Sequence, residues 1–480
     1  MLFTVDIGTS IYKSAVWDFE GNRIAFASIP LYVSLSDGPR HEADSGQWLK
    51  AFEDSCLKLA GDMGTRFAAI EAVVISGNGP SLTPVFGGAE DRAGLNIPAA
   101  SSRLWLDRRA EEAAQQVSAF LGGFVDASFF LPKVLDIKTN EPELYEKTKY
   151  FLGCPELLAY ALTGEARSVF PSDGFERWFW NDQILEHFDL NRKKFPPFIR
   201  PGEIFGTLSP KIAARLGLKP EIPVITGGPD FYTAILGTGT VKPGQVCDRA
   251  GTSEGINACT ENHIVDGRLM SYGHPVKPFW NLSGIISTTG KAVEWARNLL
   301  GLKTYNEFFS LAQTAPPGAG NLVFLPYLSG ERAPVWNPAA RGILRGLGLS
   351  TGRPEFALSV LEGVCFAIRD VISVMEEAST FMKAGAVIGE LRVAGTASGN
   401  MLLNRLKADI TKKKVTSFVQ KESELLGLAI IGACALGRYD SFSEAANALV
   451  RPEETWYPDE KNTLLYDDLF EEYRRMRENV

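Results

Sequence analysis

A chain of 480 residues, 45% apolar and 22% charged, is longer than one hydrophobic core usually supports, so two domains are expected, each with a core of its own. The 49 Lys and Arg against 57 Asp and Glu leave a net charge of −8, and with a pI near 5.4 this excludes an electrostatic binder of nucleic acid or anionic membranes. Wholesale disorder, a collagenous repeat and a disulfide mini-scaffold are excluded by the same composition.

The first 31 residues read as three short strands, Leu2 to Val5, Tyr12 to Phe19 and Arg23 to Leu31, joined by turns at Gly8-Thr9-Ser10 and Glu20-Gly21-Asn22. A helix follows from Asp44, because Trp48, Phe52, Cys56 and Leu59 recur at three or four, with Asp44 or Ser45 as N-cap. Ala68 to Ser76 reads as a buried strand closed by Gly77, which makes the order βββαβ. A comparable order begins again halfway along: strands at Gln245 to Ala250, Gly255 to Cys259 and Arg268 to Tyr272, then a helix at Thr289 to Leu300. Its first turn, Gly251-Thr252-Ser253, echoes Gly8-Thr9-Ser10, so two similar domains are expected. Pro196-Pro197, Pro220 and Pro223 put the boundary near 225 to 245, giving domains of 1–238 and 239–480. The rest of the second half reads as a helix from Glu355 to Ser379, a strand at Leu391 to Ala394 and a helix from Met401 to Lys412. A strand at Val415 to Val419 and an apolar helix after Glu424 complete it, and the alternation means α/β architecture.

The start MLFTVDIGTS has no basic region followed by an apolar stretch, so no secretory signal is expected. The apolar run Leu425 to Gly437 is too short to span a bilayer, and a cytoplasmic protein is the reading. Six dispersed cysteines without a C-x-x-C pair read as buried free thiols, and four histidines without i, i+4 spacing leave no histidine metal centre.

Three Gly-rich turns lie between a strand and a polar or helical segment: Asp6-Ile7-Gly8-Thr9-Ser10, Ala250-Gly251-Thr252-Ser253 and Ala394-Gly395-Thr396-Ala397-Ser398. Backbone N–H groups can approach an anion closely at such turns and hydroxyls add donors, which suits the phosphates of a nucleotide. No G-x-G-x-x-G or P-loop accompanies them; Gly284 and Gly290-Lys291 are wrongly spaced, and Ala292 stands where a hydroxyl is needed. Gly251-Thr252-Ser253-Glu254-Gly255 also fits the G-x-S-x-G nucleophile elbow, but only His263 and His274 follow Ser253, both too close behind it for a triad. Two aspartates end apolar strands beside glycines, Asp6 and Asp230, the latter in Thr226-Gly227-Gly228-Pro229-Asp230. An aspartate suits phosphoryl transfer as the base that orients a substrate hydroxyl, with Mg²⁺ offsetting phosphate charge.

Longer stretches make the reading specific: DIGTSIYK at the N-terminus, WLDRR at 105–109, LTGE at 162–165, GGPD at 227–230, AGTS at 250–253, FLPYLSGERAP at 324–334 and GILRGLGLSTGRPEFALSVLE at 342–362. By these the chain resembles the FGGY family of carbohydrate kinases over nearly its whole length, and within that family the xylulokinase branch. The resemblance implies an α/β protein of two RNase H-like (actin-like ATPase) domains around a central cleft. Residues 1–238 would be the sugar-binding domain and 239–480 the nucleotide-binding one. It implies ATP- and Mg²⁺-dependent phosphorylation of a small sugar, ketose or polyol, with D-xylulose to D-xylulose 5-phosphate as the first guess. Another pentulose, a polyol or a deoxy sugar is the alternative, and an actin-like ATPase without a sugar is the rival from another class. The only partner implied is the small-molecule sugar, with neither nucleic acid nor membrane, and a homodimer is left open.

By motif position, Asp6 would hold Mg²⁺, Thr9, Ser10 and Lys13 would line the phosphates, and Thr252 would match the second phosphate turn. Gly290, Thr396 and Asn400 would meet the nucleoside, Asp230 would be the catalytic base, and Gly79, Pro80, Trp105, Asp230 and Phe231 would bound the sugar. Glu331-Arg332 reads as a structural ion pair. The chain also departs from the pattern: Asn78-Gly79-Pro80 replaces Gln-Met-His, Asp230-Phe231 replaces Asp-Asn, Cys154-Pro155-Glu156 replaces Pro-Lys-Asp, and Thr396 replaces a usual Gly. These changes bear on the sugar more than on the reaction.

Overall fold

The computed structural model describes residues 1–35, 38–87, 95–381, 388–395 and 397–480. It divides into two compact units, Met1–Gly237 with Glu424–Leu449, and Thr238–Ser423 with Val450–Val480.

The first unit is built on β1 (Leu2–Ile7), β2 (Ile11–Trp17), β3 (Arg23–Pro30), α1 (Gly46–Met63), β4 (Ala72–Gly77), α2 (Phe130–Asn140), α3 (Cys154–Thr163), β5 (Ile204–Thr207), β6 (Pro223–Pro229) and α4 (Asp230–Gly237). β1 and β4 are buried along their whole length, which is why both read as continuous rather than alternating apolar runs. Trp48, Phe52, Cys56 and Leu59 of α1 are buried as their spacing predicts, and Asp44 Oδ1 accepts the Gly46 N–H at 2.9 Å. The predicted strand from Ala68 starts later, at Ala72. Gly64–Ala69 is a 3₁₀ turn instead, and it folds Phe67 into the core, edge-on to Phe3 at 6.0 Å. The sheet order is β5-β6-β4-β1-β2-β3, with β1 parallel to β4, β4 parallel to β6, and the remaining neighbours antiparallel. The helix Ser423–Ala435, apolar after Glu424, belongs to this unit from Glu424 onward, and Gly427 lets it approach α4, since a Cβ there would lie 1.9 Å from the Thr233 carbonyl oxygen.

The second unit contains β7 (Gln245–Ala250), β8 (Glu254–Thr260), β9 (Met270–Gly273), β10 (Trp280–Ile286), α5 (Gly290–Leu299), α6 (Arg353–Phe381), β11 (Glu390–Gly395), α7 (Met401–Thr411), β12 (Lys414–Phe418), β13 (Pro452–Trp456) and α8 (Glu460–Glu478). Its sheet runs β9-β10-β8-β7-β11-β12-β13. From β10 to β13 the neighbours pair antiparallel, antiparallel, parallel, parallel, antiparallel, the same succession that links β3 to β5 in the first unit. The two units thus repeat one topology, as the paired Gly-Thr-Ser turns suggest. One strand is corrected: β10, not the Arg268 to Tyr272 stretch, occupies the third position, and β9 is an added edge strand. β10 escapes a periodicity search because polar Asn281 and Ser283 are as buried as its apolar residues; Asn281 Nδ2 donates to Asn257 Oδ1 at 3.0 Å.

The six cysteines are free thiols, five of them buried and Cys434 half-buried. Among the described residues no helix is long and apolar enough to cross a membrane.

Inside the second unit, Glu362 of α6 is fully buried, and its Oε1 accepts the Gly318 N–H and the Tyr466 hydroxyl, both at 2.8 Å. Burial pushes its pKa up from 4.5 to about 8. The folded acid therefore keeps a proton that the unfolded chain has lost, so its contribution to stability, full below about pH 4.5, is lost as pH rises towards 8. Glu362→Gln should flatten this slope, which for one proton is at most about 1.4 kcal/mol per pH unit. Urea unfolding from pH 5 to 8 checks it: the variant should gain on the parent as pH rises, and a constant gap would contradict the assignment.

Candidate functional site

In the first unit the parallel strands β1, β4 and β6 end level with one another, because Ile7 pairs with Gly77 and Gly77 with Pro229. The residues that follow each strand, Gly8-Thr9-Ser10, Asn78-Gly79-Pro80 and Asp230-Phe231, are thereby gathered at one edge of the sheet. The carboxyl ends of parallel strands are where α/β proteins place ligands. Asp6, one residue before the end of β1, is buried and accepts the Ser76 hydroxyl at 2.9 Å, its register partner on β4. Lys13 is the cross-strand partner of Asp6 on β2 and is half-buried.

Thr9 is half-buried and its hydroxyl accepts the indole N–H of Trp105 at 2.9 Å, so two predicted residues 96 positions apart are joined. Ser10 is exposed, and its carbonyl accepts the Leu31 N–H. Asp230 opens α4 half-buried, with Oδ1 accepting the N–H of the next residue, Phe231, at 2.7 Å. Phe231 is also half-buried, and its ring stacks on Phe175 at 6.2 Å. Phe175 meets Trp178 edge-on at 4.9 Å and Trp178 stacks on Phe129 at 5.2 Å, so Phe231 ends an aromatic row.

Gly79 is exposed and Pro80 half-buried, and the Pro80 carbonyl accepts Lys133 Nζ at 2.8 Å. Lys133, on α2, was not singled out by sequence reasoning. It is fully buried and also donates to the carbonyls of Leu104 at 2.7 Å and Arg103 at 3.5 Å, tying the Gly79-Pro80 loop to the segment that leads into Trp105. Burial pushes its pKa down to about 7. The available signal was a lone lysine inside Leu131-Pro132-Lys133-Val134-Leu135. In the sequence Cys154 and Glu156 stand out only as departures from the family pattern. Both are buried: Cys154 Sγ donates to the Asn78 carbonyl at 3.2 Å, and Glu156, raised to about 7 by burial, accepts the Val169 N–H at 3.1 Å.

In the second unit Ala250 pairs with Gly395 across β7 and β11, and the exposed Gly251-Thr252 turn follows. The start of α5 closes on this turn. Gly290 N–H donates to the Gly251 carbonyl at 3.1 Å, while the N–H groups of Thr289 and Lys291 donate to the Thr252 carbonyl at 3.3 and 3.2 Å. Only glycine fits at 290 and 395: a Cβ would lie 2.2 Å from the Gly251 oxygen in the first case and 1.9 Å from the Ala250 oxygen in the second. Asn400 is half-buried and caps α7 with its side-chain oxygen, which accepts the Leu403 N–H at 2.9 Å. Thr252 and Gly290 therefore meet at one pair of turns, Asn400 lies five residues after the Gly395 that pairs with Ala250, and Thr396 lies outside the described residues.

Two further readings are decided in this unit. His274 accepts the Val276 N–H at Nδ1, and His263 lies against the Trp280 ring at 4.4 Å. No hydrogen bond joins either to Ser253 among the described residues, so no triad forms there. Glu331 meets Arg332 through the main chain as well as by the attraction of the guanidinium. Its Oε1 accepts the N–H groups of Ser287 and Arg332, both at 2.7 Å, which fastens the loop to the end of β10, and burial raises its pKa to about 7.

Residues 1–237 match the model of the N-terminal domain of the FGGY family of carbohydrate kinases, and residues 249–436 match that of its C-terminal domain. The xylulose kinase of Lactococcus lactis subsp. lactis (strain IL1403) is 26% identical over 494 residues, which cover 99% of this chain and 96% of that protein. The gluconokinase of Bacillus subtilis (strain 168) is 25% identical over 476 residues, covering 93% and 89%. The crystal structure of ligand-bound xylulose kinase from Lactobacillus acidophilus superposes with a TM-score of 0.85 at 23% identity, covering 100% of this chain and 98% of that one, and it shows the shared fold.

Proposed function

Given that the chain belongs to the FGGY family of carbohydrate kinases, we propose that it moves the γ-phosphoryl group of ATP to a hydroxyl of a small sugar, ketose or polyol, with D-xylulose to D-xylulose 5-phosphate as the first reaction to test. Family membership makes it a sugar kinase, which sets aside an actin-like ATPase that needs no sugar. The observation that carries the reading is the level ending of β1, β4 and β6, which brings Asp6, Thr9 with Trp105, Gly79-Pro80 and Asp230-Phe231 to one sheet edge.

The sugar is assigned to that edge of the first unit, and the nucleoside to Thr252, Gly290 and Asn400 of the second. Thr9, Ser10 and Lys13 are assigned to phosphate oxygens. Asp230 takes the proton of the attacking hydroxyl, the hydroxyl oxygen bonds to the γ-phosphorus, and the bond between that phosphorus and the β–γ bridging oxygen breaks to release ADP. Asp6 is the acid suited to Mg²⁺. It is a buried carboxylate oriented by Ser76, and no group of three or more His, Cys, Asp or Glu able to hold a metal occurs among the described residues. Such a donor set fits Mg²⁺ arriving with phosphates and waters, not a cage made of protein ligands. When bound, Mg²⁺ supplies positive charge against the phosphate oxygens. A cytoplasmic location, which the sequence favours, would provide the ATP.

The substrate follows from the departures. Gly79 and Pro80 offer no polar side chain, and the residue next to Asp230 is Phe231, whose half-buried ring stacks on Phe175, so these positions lack side-chain groups that would reject a substrate lacking a given hydroxyl. D-xylulose is therefore expected to be a modest substrate, and a less hydroxylated or differently configured one a better one. A panel of pentoses, pentuloses, hexuloses, polyols and gluconate, read by ADP release, tests this. Phe231→Asn should shift the ranking towards D-xylulose by ~10-fold or more in kcat/KM, the scale of one gained polar contact. D-xylulose leading by a wide margin, with a ranking indifferent to the substitution, would refute the pocket. No turnover with any member of the panel would refute the sugar assignment.

A further inference from the structure

Three ionisable side chains of the second unit meet in its dry interior, directly behind the Gly251-Thr252-Ser253 turn. Lys407 of α7 places Nζ 2.5 Å from Asp248 Oδ2 and 2.7 Å from Glu254 Oε1. Their side chains are 2%, 0% and 2% exposed. Asp248 lies two residues before the end of β7, Glu254 is the first residue of β8, and the turn is all that separates Ala250 from Glu254. Lys407 stands about two helical turns along α7 from Asn400, hence on the same face as that cap.

Two carboxylates and one ammonium without water cannot all be ionised at low cost, so one proton stays with the acids. Asp248 is its holder: its Oδ1 is buried and meets no donor, and desolvation together with the neighbouring Glu254 raises its pKa. Glu254 remains ionised; despite burial its pKa is lowered by Lys407. The result is a neutral cross-link between a helix and the two strands that frame the turn.

We propose that Lys407 is a positioning residue for the nucleotide, which by gripping Asp248 and Glu254 holds the Gly251-Thr252-Ser253 turn and the Asn400-capped start of α7 in one arrangement suited to a nucleoside triphosphate. This rests on the assignment of the nucleotide to the second unit. The turn itself is exposed and short, and a hydrogen-bond network of backbone groups around it is only as precise as the strands and helix that carry it.

The test is direct binding of a fluorescent ATP analogue to the full chain, with KM for ATP and for sugar measured alongside. Lys407→Met leaves Glu254 buried and unpaired, a change that can unfold a protein, so its companion is the charge-free triple variant Lys407→Met/Asp248→Asn/Glu254→Gln. The triple variant is expected to fold, with Kd and KM for ATP raised ~10-fold or more and KM for sugar changed by less than ~3-fold, because the strands keep their hydrogen bonds and lose only the clamp. Either single amide, Glu254→Gln or Asp248→Asn, leaves one carboxylate to ionise beside the ammonium, so each should raise the ATP constants by less than the triple variant does. A folded triple variant with parental ATP affinity, or equal losses for ATP and sugar, overturns the positioning role; a single amide variant that loses as much as the triple variant overturns the sharing of one ammonium between two acids. If the parent protein itself binds no ATP analogue, the nucleotide assignment falls and takes this inference with it, an outcome distinct from the others.

Discussion

Asp230→Asn is expected to lower sugar-dependent ADP release by ~10²–10⁴-fold, the range that a positioned general base contributes, while the affinity for ATP stays near that of the parent. The substitution is well matched to the local structure. Asp230 Oδ1 accepts the Phe231 N–H at 2.7 Å, and an asparagine oxygen can accept the same bond, so the start of α4 should keep its shape. What is lost is a group able to take the hydroxyl proton. The loss should therefore fall on kcat, with KM for the sugar little changed, and steady-state kinetics with a saturating acceptor separate the two. Activity close to that of the parent would remove Asp230 from the catalytic role.

Lys133→Met should cost about 1–3 kcal/mol of stability and raise KM for the sugar by ~10-fold or more. Methionine fills most of the volume but donates nothing; the Pro80 carbonyl, 2.8 Å from Nζ, would lose its donor, while the Leu104 carbonyl, 2.7 Å from Nζ, keeps the Asp107 N–H at 3.0 Å. One carbonyl left without a donor costs ~1–3 kcal/mol, offset in part by relief of the burial that already pushes the lysine down to about 7. The kinetic effect has a separate cause. The same ammonium binds the loop carrying Gly79-Pro80 to the segment that leads into Trp105, so without it two walls of the assigned sugar pocket are no longer held to each other. Thermal unfolding gives the first quantity and initial rates at varied sugar the second. A variant with the melting temperature and sugar KM of the parent would show that Lys133 is dispensable to both.

Features that depend on neighbours along the chain were open to reading from sequence. The strand Gln245–Ala250 ends where Gly251 allows a tight turn, α1 shows its buried face in the spacing of Trp48, Phe52, Cys56 and Leu59, and Asn400 stands where a cap must stand. The echo of Gly8-Thr9-Ser10 in Gly251-Thr252-Ser253 marks equivalent turns of a repeated topology, because both connect the first two antiparallel strands of a sheet. Family motifs extended this to Asp6 and Asp230, which lie one residue before the end of β1 and directly after β6.

Tertiary structure alone decided the rest, since the deciding partners lie far away in sequence. β10 went unrecognised because its polar residues are satisfied by a neighbouring strand, which removes the alternation that water would otherwise impose. The Trp105–Thr9 bond, the level ends of β1, β4 and β6, and the placement of Glu424–Leu449 with the first unit all follow from register and packing. Lys133 and Lys407 make the point most sharply. In sequence each is an ordinary lysine, expected in water. Only the folded chain surrounds one with carbonyl oxygens and the other with two carboxylates, and it is those partners that make burial of an ammonium affordable and give it something to hold in place.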